Sequence, residues 1–229
     1  MLAAGRNATG IHELLSSKER KALVRIATVV DLPRRNLRVF SQGDTAGAVF
    51  IVGRGAVSVY RHLEGGARQV LEFLYVGDLL GLAEEGRYVN TAQTLAPSQL
   101  FRIPYDGLKA LLHDDTHMQF VLLVKLAHEL RAAQRHIIMI GSTQVPRRLA
   151  LLLGDLCVDS PYFSTSSGKL ALPLTRSDIG DYLGASAEVV TRAFAALERE
   201  KLLHRLTSKT ILIADLARLL RYGRGVRTS

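Results

Sequence analysis

Glu188 and Arg192 stand four residues apart, with Thr191 between them, in the run SAEVVTRAF. On a helix, residues at that spacing share one face. A carboxylate can accept from cytosine N4, and a guanidinium can donate to guanine O6 and N7. Glu188, Thr191 and Arg192, with Ala187 beside them, could therefore read base edges in a DNA major groove. The plain alternative is a surface i,i+4 salt bridge, worth roughly a few tenths of a kcal/mol.

What decides between the two is the element that carries the pair. Thr175 is a good N-cap, and Asp178 three residues on completes the acidic half of a capping box. Ile179, Tyr182 and Leu183 follow at helical spacing, and Gly184 stops the helix because glycine takes the left-handed C′ conformation without a Cβ penalty. Ala185 carries the chain across, Ser186 caps a second helix, and Val190, Phe194 and Leu197 give that helix its apolar face. Two helices, a glycine turn and a polar second N-terminus are the marks of a helix-turn-helix, whose second helix enters the major groove. After it, Leu202–Arg205 and Thr210–Ile213 read as two strands around Thr207-Ser208-Lys209, the wing of a winged helix.

The stretch TRSDIGDYLGASAEVVTR resembles the DNA-binding helices of the CRP/FNR family of bacterial transcription regulators, and the likeness extends over nearly the whole chain. The Glu-x-x-Thr-Arg arrangement of Glu188, Thr191 and Arg192 is similar to the FNR/FixK-like branch; the cyclic-AMP receptor places a further Arg where this chain has Ala187. The resemblance implies a homodimer on a TTG-N8-CAA-like palindrome of double-stranded DNA. It also implies Lys209 and Arg176 at phosphates, joined by Thr175, Ser177 and Ser186 around the two helix N-termini. It further implies transcription activation through RNA polymerase, under low oxygen, nitrogen oxides or nitrogen-fixation control. Both the enzyme and the bare protein-interaction module are rival classes. The first lacks any nucleophile elbow, P-loop, HExxH or Rossmann fingerprint to support it.

Composition agrees. The formal net charge is +9, which favours a polyanionic partner. A single cysteine, Cys157, rules out an internal disulfide and reads as a small buried apolar residue in a reducing cytoplasm rather than a redox switch. No stretch is long and apolar enough for a bilayer, and MLAAGRNATG lacks the apolar core of a signal peptide.

The expected fold is α+β. An N-terminal antiparallel β-roll of cyclic-nucleotide-binding type spans 1–114, a dimerisation helix 115–141, and a winged helix-turn-helix 142–229. Residues 1–10 read as loose and Ile11, Leu14 and Leu15 as a short turn, ahead of a helix over 16–27 that opens on the Ser16–Glu19 capping box. Short β-branched runs such as Val49–Val52, Ala56–Arg61 and Gln69–Leu74 then alternate with glycine turns. Leu123, Leu126, Leu130, Ala133, Ile137 and Ile140 recur at three and four, a heptad seam suited to a parallel pair of helices. Gly141-Ser142 reads as a hinge, Pro146 opens a helix over 147–157, Lys169–Leu174 reads as a strand, and a last helix covers Ala214–Tyr222 before a basic tail.

The resemblance also brings a departure. Family members that bind cyclic nucleotides carry a Glu after the cassette glycine and then an Arg-Ser pair for ribose and phosphate. Here Leu82 follows Gly81, and Tyr88-Val89-Asn90-Thr91 lies where Arg-Ser would be, with Arg87 out of step. A buried phosphate without its cation is costly, so cyclic AMP is not the expected effector. One cysteine cannot build the thiolate set of an iron–sulfur cluster. No resident metal or cofactor is expected. Haem-based gas sensing stays open as the alternative, with His62, His113 and His117, and beyond them His128, as candidate ligands. His113 and His117 also stand at the i,i+4 spacing of metal-binding helices.

Overall fold

A computed structural model describes residues 14–142 and 144–225, without the side chains of Ser142 and Asp159. Residues 1–10, expected to be loose, together with Ile11 and the last residues of the basic tail, lie outside them. The described residues fall into two compact units, one running to Arg131 and the other beginning at Ala132.

The first unit opens with helix α1, Ser17–Ile26. The Ser16 hydroxyl accepts from the Glu19 amide at 3.2 Å, and a Glu19 carboxylate oxygen accepts from the Ser16 amide at 2.6 Å, the reciprocal capping expected from S-x-x-E. Ten strands follow: β1 (Thr28–Leu32), β2 (Arg38–Phe40), β3 (Ala48–Arg54), β4 (Val57–His62), β5 (Arg68–Leu74), β6 (Leu79–Leu80), β7 (Ala83–Glu84), β8 (Arg87–Tyr88), β9 (Thr91–Thr94) and β10 (Ser98–Pro104). They form antiparallel sheets in the orders β1-β10-β3-β6 and β2-β9-β4-β5, with β7 and β8 as a small separate hairpin. This is the anticipated roll.

Its interior is filled by Phe40, Phe50, Val52, Val57, Leu74, Leu80, Tyr88, Ala92 and Leu100. Phe40 stacks on Tyr88 with ring centroids 4.0 Å apart and on Phe50 at 5.7 Å. A second core, built from Leu15, Leu23, Val49, Ile103, Met118 and Val121, joins α1 and the start of the long helix to the roll.

Helix α2, Tyr105–Asp114, leads through Asp115 into α3, Thr116–Ser142. The Asp115 carboxylate accepts from the Met118 amide at 2.9 Å and caps α3. One charged residue of α3 is buried. Lys125 is only 4% exposed, with its ammonium 2.9 Å from Asp78 Oδ1 and 2.7 Å from Glu129 Oε1. Asp78 in turn accepts from the Tyr75 amide at 2.9 Å, which fixes the β5–β6 turn. Burial opposes the charge on Lys125, but the two carboxylates outweigh it and raise its pKa.

Outside this contact the seam residues lie open. Leu123 is 63% exposed, Leu130 61% and Ile137 71%, while Leu126 and Ala133 are also exposed and Ile140 is half-buried. Gly141 and Ser142, expected to mark a hinge, are the last helical residues of α3, and the division between units falls earlier in the same helix.

The second unit holds the end of α3, then α4 (Val145–Asp159), β11 (Phe163–Ser164), β12 (Lys169–Ala171), α5 (Arg176–Leu183), α6 (Ala187–Arg199), β13 (Leu203–Arg205), β14 (Thr210–Ile213) and α7 (Leu216–Gly223). Its sheet runs β11-β12-β14-β13, all antiparallel. Leu149, Leu153, Leu170, Ile179, Phe194, Leu197, Ile211 and Leu219 are fully buried at its centre. Three boundaries differ from expectation. The strand from Lys169 ends at Ala171, ahead of Pro173, which has no amide to donate. Helix α4 continues past Cys157 to Asp159, and α7 starts at Leu216 because the Asp215 side chain caps it through the Arg218 amide.

Candidate nucleic-acid interface

The two helices of the reading head are set by local chemistry. The Thr175 hydroxyl accepts from the Asp178 amide at 3.1 Å and donates to Asp178 Oδ2 at 2.6 Å, while that same oxygen accepts from the Thr175 amide at 2.7 Å. At the other end Gly184 sits in the left-handed region with φ 65°. The Arg148 guanidinium donates to the Leu183 carbonyl at 2.9 Å, so it satisfies an end carbonyl of α5. Gly180 is dictated by a close approach, since a Cβ there would lie 2.4 Å from the Ala185 carbonyl oxygen. The turn can pass so near α5 only over a residue without a side chain.

Ser186 accepts from the Val189 amide at 3.3 Å and opens α6. Val190, Ala193, Phe194 and Leu197 are buried on one side of α6, and Ala187, Glu188, Thr191 and Arg192 are exposed on the other. All three residues expected to read bases thus share the outer face. Among the described residues no ion pair joins Glu188 to Arg192, so both charged groups are available to an outside partner. The Thr191 hydroxyl donates to the Ala187 carbonyl at 2.8 Å, which leaves its oxygen able to accept from a partner.

The residues expected at phosphates divide by environment. Ser177, Ser186 and Lys209 are exposed. Thr175 is exposed too, but its hydroxyl proton is committed to Asp178. Arg176 is half-buried, with its guanidinium 3.6 Å from the centroid of the Phe194 ring, a cation–π contact that holds it against α6. Its pKa is lowered by burial first and by the nearby Arg205 second, though a guanidinium stays charged throughout. Lys209 lies in the β13–β14 turn, where its carbonyl accepts from the Leu172 amide at 2.7 Å and anchors the wing.

Three contacts escape sequence reasoning. Arg205 Nε donates to Glu198 Oε2 at 2.8 Å, and the Arg205 amide donates to Glu198 Oε1 at 3.1 Å, tying the wing to the end of α6. These bonds from Arg205 hold the Glu198 carboxyl below its ordinary range. The third is His136, near the end of α3, which packs on Tyr182 of α5. None of them has a local signature, because each partner is chosen by the fold. Cys157 is buried, and desolvation pushes its thiol up to about 12. A thiol so held is almost entirely un-ionised near neutral pH and therefore a poor nucleophile.

In the roll, Tyr88 occupies the core at the position where an Arg-Ser pair would be expected, and its hydroxyl donates to the Ala48 carbonyl at 2.7 Å. Arg87 is exposed and donates to the Gly43 carbonyl at 2.8 Å, and Leu82 is exposed. The histidines are scattered. His62 and Tyr60 meet at nearly perpendicular rings, His113 pairs with Asp114 at 2.7 Å, and His117 pairs with Glu19 at 2.6 Å. The i,i+4 spacing of His113 and His117 creates no shared site, because α2 ends and α3 begins between them.

Comparison with known proteins agrees with both halves. A model of the Crp-like helix-turn-helix domain matches residues 147–222, and one of the cyclic nucleotide-binding domain matches residues 34–115. The transcriptional activator protein FnrA of Stutzerimonas stutzeri is 29% identical over 77% of this chain and 73% of its own length. The nitrogen fixation regulation protein FixK of Azorhizobium caulinodans is 28% identical over 82% and 76% respectively. Among solved structures, FixK2 from Bradyrhizobium japonicum superposes with a TM-score of 0.78 at 26% identity, covering 89% of this chain and 98% of that one. With a cyclic-nucleotide-binding-type roll, a long helix and a Crp-like helix-turn-helix, the chain is a DNA-binding transcription regulator and belongs to the CRP/FNR family.

Proposed function

We propose that this regulator acts as a homodimer on a TTG-N8-CAA-like palindrome, with Glu188, Thr191 and Arg192 reading bases and Arg176, Ser177, Ser186 and Lys209 holding the backbone. The observation that carries this reading is the outer face of α6, where Glu188 and Arg192 stand exposed and are not paired with each other. The exposed stripe of Leu123, Leu126, Leu130 and Ile137 supports the dimer, since a lone helix in water would not hold such a row open. Two recognition helices are needed, because each reads only a half-site.

Activation, by contact with RNA polymerase, and a regulon in oxygen limitation or nitrogen metabolism are part of this proposal; the names of similar proteins, a transcriptional activator, a nitrogen fixation regulator and an anaerobic regulator, support the activating role and the context. Cyclic AMP is disfavoured as effector by the Tyr88 side chain within the roll and by the outward course of Arg87. A four-thiolate cluster is disfavoured by the single cysteine. DNA binding governed by the protein's own abundance fits these features.

Gel-shift titration of purified, ligand-free protein on a TTG-N8-CAA duplex against a scrambled competitor tests the proposal, with an absorption spectrum of the same sample. Specific retention by colourless protein is the expected result. Retention of both duplexes alike would overturn the base-reading assignment, and a Soret band would overturn the effector-free one.

A further inference from the structure

At the base of the roll, three elements bring unlike donors to one point. Glu19 comes from the first turn of α1, Asp115 from the break before α3, and His117 from the first turn of α3. One ligand atom from each, two carboxylate oxygens and a ring nitrogen, all lie within 4.8 Å of one another, the one such group among the described residues. We propose that Glu19, Asp115 and His117 form a binding site for a single divalent first-row transition-metal ion.

The donor set favours such an ion. An imidazole with two carboxylates suits zinc, cobalt, nickel or manganese better than calcium or magnesium, which take all-oxygen shells. Two carboxylates and a neutral imidazole give the site a charge that a divalent ion balances. Bond lengths of about 2.0–2.2 Å place neighbouring ligand atoms roughly 3–3.5 Å apart, within reach of small side-chain rotations from the present spacing.

The site is also held from outside and open to entry. The second Glu19 oxygen accepts from the Ser16 amide at 2.6 Å, and Asp115 Oδ1 accepts from the Met118 amide at 2.9 Å. Such outer bonds fix ligand orientation in metal sites. Glu19 is 3% exposed and gives a rigid floor, whereas the His117 side chain is 61% exposed and leaves room for water and an incoming ion. His117 Nδ1 and Glu19 Oε1 now stand 2.6 Å apart, joined by one hydrogen bond whose proton lies between nitrogen and carboxylate oxygen. The ion would replace that proton, which leaves to solvent, and would pin α1 to the start of α3.

The test uses tag-free, full-length protein stripped with EDTA. Zinc binding is measured by calorimetry, cobalt binding by visible d–d absorption, and melting with and without zinc. One equivalent per chain and a zinc-dependent rise in Tm are expected. His117→Ala removes an exposed ligand, and Asp115→Asn keeps the capping acceptor while removing its charge; each should weaken binding about ten-fold or more. His113→Ala should change nothing. Absence of zinc and cobalt binding in the unaltered protein would overturn the proposal. So would binding that survives both His117→Ala and Asp115→Asn in variants whose circular dichroism is unchanged.

Discussion

The imidazole of His136 lies flat on the ring of Tyr182, with centroids 3.9 Å apart and planes 9° apart, and its Nε2 stands 2.8 Å from the Tyr182 carbonyl oxygen. A carbonyl can only accept, so Nε2 carries the proton. The last turns of α3 are thereby joined to the first helix of the reading head by both a stacked face and a hydrogen bond. His136→Ala should lower the stability of the second unit by about 1–3 kcal/mol, the sum of a stacked pair and one net hydrogen bond. His136→Phe should recover the stacking part alone. Urea unfolding of the three proteins checks both expectations.

Arg192 and Lys209 should fail differently. Arg192→Ala should cost about 1–3 kcal/mol on the palindrome and relax preference at one base pair. Lys209→Ala should weaken specific and random DNA alike and reduce the salt slope by about one. Binding isotherms at several salt concentrations separate the two. A uniform loss from Arg192→Ala would show that it meets phosphate rather than base.

A charge placed on the open stripe should keep two chains apart. Leu130 and Ile137 are both more than half exposed, so Leu130→Glu and Ile137→Glu leave the fold of one chain intact. Light scattering after gel filtration should show a monomer, and palindrome binding should fall with it. A dimer of unchanged mass would place the association surface elsewhere.

The Glu198–Arg205 contact should make the wing sensitive to acid. Its backbone and side-chain hydrogen bonds from Arg205 depress the Glu198 pKa in the folded protein. A depressed carboxyl contributes stability that is present above the unfolded value, about 4.3, and lost as pH falls through the folded one. Unfolding midpoints measured downward from pH 6 should therefore drop less steeply in Arg205→Ala, where Glu198 returns toward its ordinary range.

The reading head was legible in the sequence because its determinants are local. Thr175 with Asp178, Gly184 and Ser186 each act within a few residues, and each does in the structure what its type implies. The long helix α3 was legible for the same reason, its apolar residues recurring at helical spacing. The small strands β6 to β9 were not, since two to four residues carry no period, and their pairing is settled by distant partners such as Phe50 with Leu80. The buried Lys125 was invisible as well. Its partner Asp78 lies 47 residues away, and Glu19 lies 98 residues from His117. Spacing along the chain pointed instead to His113 and His117, which the helix break separates.

A lysine locked beneath one side of a helix works like a key on a shaft. An α-helix turns about 100° per residue, so a slip of α3 by one position would swing Lys125 away from Asp78 and rotate Leu123 and Leu130 inward. Leaving one partner of a buried pair without the other costs about 3–5 kcal/mol, which discourages that slip. The angular phase of the helix is thus indexed inside each chain. The direction in which its leucines look out is set by a contact within the chain itself.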